Sequence, residues 1–278
     1  MHTWPTALFV LLWSSGAIFS RWGLDHASAF VLLALRFTLA LAALWALGWR
    51  ERVWLPAPGA RLSVAGAGLL MIGGYSCFYF LALQQGLTPG VLATVLGVQP
   101  ILTLLVQERR FSSQRLVGLI VALAGLSLVV ADSLLRARLS VSGFGFALLA
   151  LVCMTAGTLL QKRVSEPPSR ALPLQYALSL LLCLLLLPLQ PLHLDWSAGL
   201  VVPVVWLGLV ISVGATLLLY RLIHAGNLVN VTSLFYLVPG GTALLDWLLL
   251  GNRMAPASLA GLATILLGLA LVFRSRPR

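Results

Sequence analysis

The residues of this chain best equipped for chemistry stand inside apolar runs. Arg36 falls in AFVLLALRFTLALAALWALG, about seven residues into a stretch long enough to cross a bilayer. An arginine at the centre of a membrane helix costs about 2.5–3.5 kcal/mol on insertion scales, so its guanidinium has to face protein or a cavity and find an acceptor. One such acceptor is a substrate carboxylate, held by charge-assisted hydrogen bonds. The competing one is a set of helix carbonyls reached by snorkelling toward the surface. Asp246 is the acidic residue that the expected spans bury, which makes it a candidate for proton coupling. Arg253, seven positions on, offers it a structural ion pair instead.

Tyr75 and Tyr79 are four apart, so on a helix both phenols share one face and can stack on, or hydrogen-bond to, a polar solute. Trp13, Ser14, Ser15, Gln99, Thr155, Thr158, Trp206, Tyr220, Ser233 and Tyr236 are the other groups expected to line a cavity, against the alternative of interhelical packing. Pro100 and Pro239 are candidate hinges. Each removes an amide donor inside an apolar run and releases the carbonyl four residues earlier, at Leu96 or Phe235.

Catalytic chemistry is not indicated. Cys77, Cys153 and Cys183 have no ligand spacing, and His2, His26, His193 and His224 are scattered without an acidic cluster. Neither a metal site, a cofactor nor a base beside a nucleophile is therefore expected, and the chain does not read as an enzyme.

The elements that must hold these side chains follow from composition. Of the 278 residues, 60% are hydrophobic and 9% charged, against about 25% charged in soluble domains. Ten stretches approach the roughly 20 residues needed to span a hydrocarbon core: 4–22, 29–49, 62–84, 88–107, 113–131, 142–162, 171–190, 200–225, 228–250 and 256–273. They are continuously apolar rather than alternating, which argues for helices over a β-barrel. The opening run lacks a basic start and a small-residue cleavage site, so it is expected to stay as the first helix.

The net charge of +11 is spread over span ends, with no soluble domain to hold nucleic acid. With both termini cytoplasmic, most of the 18 basic residues fall on the inner side and Arg21, Arg136, Arg138 and Arg253 on the outer. At an offset of 139 Pro100 falls on Pro239, and at 143 Gly118, Leu119 and Gly125 fall on Gly261, Leu262 and Gly268. The chain is thus expected to be duplicated, as 1–139 and 140–278. Five spans per half invert the second copy relative to the first, an arrangement that places a substrate site between the repeats. The glycines are read as close helix contacts, or else as a dimer surface, leaving monomer and homodimer both open.

The segments LLWSSGAIFSRWGL, LLALRFTLALAAL, GGYSCFYFLALQQGL, LATVLGVQPILTLL, WLGLVISVGATLLLYRLI and SLFYLVPGGTALLDWLLLGNRM, in that order, resemble the ten-helix EamA-type proteins of the drug/metabolite transporter superfamily. The resemblance implies an all-α membrane protein of two inverted five-helix repeats around a central cavity, exporting amino acids or similar small metabolites from the inner membrane. Two positions depart from the family pattern. Gly251-Asn252 stands where Gly-Glu is common, and Gly240 where a second Pro often follows the one matching Pro239. The first helix also lacks the Glu that related four-helix multidrug exporters use for protons and cations. The alternatives are a flippase for lipids or lipid-linked precursors and a multidrug exporter of amphipathic compounds. A bilayer and a small-molecule substrate are the expected partners.

Overall fold

Lipid offers peptide groups no hydrogen bonds, so each apolar run must close its own ladder, and the helix does this within one segment. The computed structural model describes residues 3–49, 55–108, 111–135, 140–250 and 256–275, without the side chains of Thr3, Ser133 and 246–250. Among the described residues nine helices are long and apolar enough to cross a membrane, and Ser113–Val129 is a shorter apolar tenth. The first half holds α1 (Thr3–Leu24), α2 (Ala29–Gly48), α3 (Pro58–Gln84), α4 (Pro89–Gln107) and α5 (Ser113–Val129). The second holds α6 (Val141–Arg163), α7 (Pro168–Leu189), α8 (Ala198–Ala225), α9 (228–250) and α10 (Pro256–Arg274). These are the ten spans the sequence indicates, with ends shifted by a few residues.

Helix starts are written locally. The Thr88, Ser112 and Ser140 hydroxyls accept amides of the first turns of α4, α5 and α6, and the Asn227 side chain accepts two at the start of α9. The third and fourth helices of each half depart from regular α geometry. A π-helical segment occupies Leu69–Gly74 in α3 and Trp206–Ala215 in α8. Between Leu96 and Gln99 α4 is interrupted just ahead of Pro100, and α9 tightens to a 3-10 turn at Leu234–Tyr236 ahead of Pro239. Such irregularities are tolerated at membrane depth where they are buried in protein or line a cavity, and π turns are frequent at functional sites.

Helices α5 and α10 run antiparallel and pack along their length. A β-carbon on Gly125 would lie 2.7 Å from the Gly261 carbonyl, and one on Gly118 would lie 2.8 Å from that of Gly268. The matching glycines therefore serve contact within the chain, backbone against backbone. At the end opposite the termini the halves are clasped by an isolated antiparallel bridge between Ala27 and Leu194, flanked by His26 Nδ1 and Asp195 Oδ2 at 3.0 Å.

Candidate functional site

Between the two halves lies a cavity of about 430 Å³, walled by α1, α2, α3, α4, α8 and α9, with Met154 of α6. It extends to the end of the bundle where α4 begins, at Pro89 and Gly90, and α5 finishes, at Val129 and Val130. Arg36, Tyr75, Tyr79, Gln99 and Trp13 all contribute to its lining, as do Pro239 and the two residues whose carbonyls the prolines release, Leu96 and Phe235.

Arg36 is held by one side of its guanidinium. Its Nε donates to Ser212 Oγ at 2.7 Å, and its Cζ lies 5.7 Å from the Phe37 ring centroid. Ser212 sits in the π-helical segment of α8, so the irregular turn of the second half supplies the brace for a cation of the first. Tyr176 reinforces this. Its hydroxyl donates to the Ser212 carbonyl at 2.6 Å, and its ring meets Phe37 edge-on at 5.6 Å. The Arg36 Nη groups make no hydrogen bond to a described residue, and no described carboxylate forms an ion pair with it. The cation thus keeps donors free for a ligand.

Around it the walls are aromatic. The Tyr75 and Tyr79 rings lie 5.6 Å apart, while Trp13 packs with Phe9 and Phe235 at centroid separations of 5.2 and 5.4 Å. Gln99, buried at the interruption of α4, donates from Nε2 to Thr158 Oγ1 at 3.2 Å. Thr158 therefore stands behind Gln99 rather than in the lining.

Other candidates sit away from the cavity. Ser14 is buried against Gly241 and bonds the Val10 carbonyl. Trp206 donates to Ser15 Oγ at 2.8 Å and stacks on Phe19, joining α8 to α1. Tyr220 donates to Gln175 Oε1, in a buried network where Gln175 also donates to Gln161 and to the Val64 carbonyl. Tyr236 lies with the apolar cluster of α5 and α10, and its buried hydroxyl has no partner among the described residues. Thr155 and Ser233 bond their own helix carbonyls. Pro100 is buried beside Gln99. The Asp246 side chain and Arg253 lie outside the described residues.

At the end that carries both termini lies a buried polar network that the sequence does not announce. Arg115, 1% exposed, donates to Glu108 Oε1 at 2.7 Å and to the Asn227 and Asn230 side-chain oxygens at 2.6 and 2.7 Å. Asn227 Nδ2 in turn donates to Glu108 Oε1 at 3.2 Å. Beside this, Lys162 Nζ reaches the Ile223 and His224 carbonyls at the end of α8 and that of the capping Gly226 at 2.9 Å, where a cation also complements the helix dipole. The available signal was Glu108 seven residues before Arg115 across a span boundary. Nothing local announced the asparagines more than 110 residues away.

The comparisons agree with this architecture. A family model described as the EamA-like transporter family matches residues 6–131 and again 141–274. Over 205 residues the chain is 25% identical to a probable amino-acid metabolite efflux pump of Escherichia coli (strain K12), a match spanning 70% of this chain and 64% of that protein. A crystal structure described only as that of a protein superposes with a TM-score of 0.77 at 23% identity, over 97% of this chain and 96% of the other. At that identity the likeness shows the fold alone. With 6–131 and 141–274 each matched by the same model, the chain belongs to the EamA-like transporter family and is a multi-pass membrane protein.

Proposed function

We propose that this protein exports amino acids or similar small metabolites across the inner membrane by alternating access, with both termini cytoplasmic and residues 1–139 and 140–278 acting as the inverted halves. The observation that carries the reading is Arg36, an intramembrane cation braced by Ser212 with its Nη donors left free at a cavity wall. A carboxylate is the ligand that such a fork satisfies best. Aromatic walls of Trp13, Tyr75 and Tyr79 suit the rest of a small metabolite.

Access from one side at a time is supported by the asymmetry of the bundle. The cavity reaches the end away from the termini, while the Arg115 and Lys162 networks close the other. The interruptions at Pro100 and Pro239 are the proposed bends about which the walls move. Asp246 remains the candidate coupling residue.

The solute reading is favoured over a flippase by where polarity lies. A second groove, between α1, α9 and α10, is apolar apart from Thr6 and Asn230, whereas Arg36, Tyr75, Tyr79 and Gln99 line the cavity between the halves. Arg36, the one cation among the described lining residues, likewise disfavours amphipathic cations. Flux into proteoliposomes, with amino acids, amphipathic cations and nucleosides run with and without a pH gradient, tests this. Movement of amino acids is expected; movement of none of these classes contradicts export, and loss of gradient dependence in Asp246→Asn would assign coupling.

A further inference from the structure

We propose that Gln99 reads the amino group of an α-amino acid whose carboxylate is held by Arg36, and that Thr158 is the positioning residue that turns the Gln99 amide the right way round. This rests on the carboxylate reading of Arg36 and sharpens it from carboxylates in general to α-amino acids.

The argument is one of proton counting. A threonine hydroxyl has a single proton, and that of Thr158 is given to the Met154 carbonyl one turn earlier. Toward Gln99 it can therefore only accept, so the amide must present Nε2 at the 3.2 Å contact and turn Oε1 away. Gln99 is 2% exposed, its backbone carbonyl accepts from Thr103, and its Oε1 has no partner among the described residues. It is nonetheless a wall of the same cavity as Arg36. An amide oxygen that takes no protein donor at a cavity wall can accept one from a ligand, and an ammonium supplies it. A neutral acceptor also selects N–H without fixing a second ion pair, which suits a site that must release its ligand.

The geometry crosses the two halves. Gln99 stands at the interruption of α4, whereas Thr158 and Met154 lie on α6. Relative motion of α4 and α6 would break the 3.2 Å contact, free the amide to rotate and weaken the hold on the ammonium.

The experiment is competition in proteoliposomes between the best-carried amino acid and its deaminated analogue, the same carboxylic acid with hydrogen in place of the amino group. The unaltered protein is expected to prefer the amino acid about tenfold to a hundredfold, the range for a hydrogen bond to a charged group. Gln99→Leu should bring that ratio near one while the analogue still competes through Arg36. Thr158→Val should lower the ratio and Thr158→Ser restore it, a pattern that loss of packing alone would not give. Gln99→Glu should keep or raise it. A ratio near one in the unaltered protein, which needs no variant to fold, overturns the proposal and leaves the carboxylate reading standing. A ratio unchanged in Gln99→Leu does the same. Transport of neither compound overturns both.

Discussion

Arg115 Nη2 donates to Asn227 Oδ1 at 2.6 Å, so a guanidinium in the first turn of α5 is gripped by the residue that caps α9 in the other half. The same Oδ1 accepts the Val229 and Asn230 amides. A helix start of one repeat and a buried cation of the other are thus ordered by one oxygen. Removing one partner of a buried pair costs about 3–5 kcal/mol because the other charge is left unpaired.

Arg115→Ala should therefore loosen the end that carries the termini. With Cys77, Cys153 and Cys183 replaced by Ala, a cysteine at Thr103, which is buried on α4 between Gln99 and Glu108, should resist a membrane-impermeant thiol reagent from that side. In the Arg115→Ala background it should label at least tenfold faster. Unchanged labelling would mean that the network does not hold the end shut.

The second expectation concerns α3 and α7, which belong to different halves. Cys77 Sγ and Cys183 Sγ are buried 3.7 Å apart. Mild oxidation should join them, seen as a crosslinked peptide pair by mass spectrometry, and flux should fall and recover with reductant. A quantitative crosslink with full flux would show that α3 and α7 stay together throughout the cycle.

Packing of α5 on α10 gives a third. A β-carbon on Gly261 would approach the Gly125 carbonyl to 2.6 Å and the Val129 amide nitrogen to 2.7 Å, and neither is the end of a flexible side chain. Overpacking of this kind costs about 1–3 kcal/mol. Gly261→Ala should lower the midpoint of thermal unfolding in detergent, whereas Gly145→Ala, where a β-carbon meets nothing within 4 Å, should not. Equal midpoints for both would remove the close approach as a stabilising contact.

Much of this fold is legible in the sequence because the bilayer imposes a length on every span and tolerates few charges within one. Arg36 stands out for that reason. Tyr75 and Tyr79 share a helix face by spacing alone. Tyr220, Tyr236 and Trp206 are harder, because a helix apolar on all sides has no polar stripe to say which face meets a cavity. Arg115 and Glu108 hide differently. Charges at span ends ordinarily set orientation, and only the three-dimensional meeting with Asn227 and Asn230 turns them into a buried network.

The most direct test of the central claim compares a carried amino acid with its carboxamide, which keeps the shape but removes the negative charge that Arg36 is proposed to hold. In proteoliposomes of the unaltered protein the free acid should compete about tenfold to a hundredfold better than the amide, the range for a hydrogen bond to a charged group. In Arg36→Gln that preference should collapse, with Arg36→Lys keeping part of it. Equal competition by acid and amide in the unaltered protein, or a preference that survives Arg36→Gln, would contradict the account.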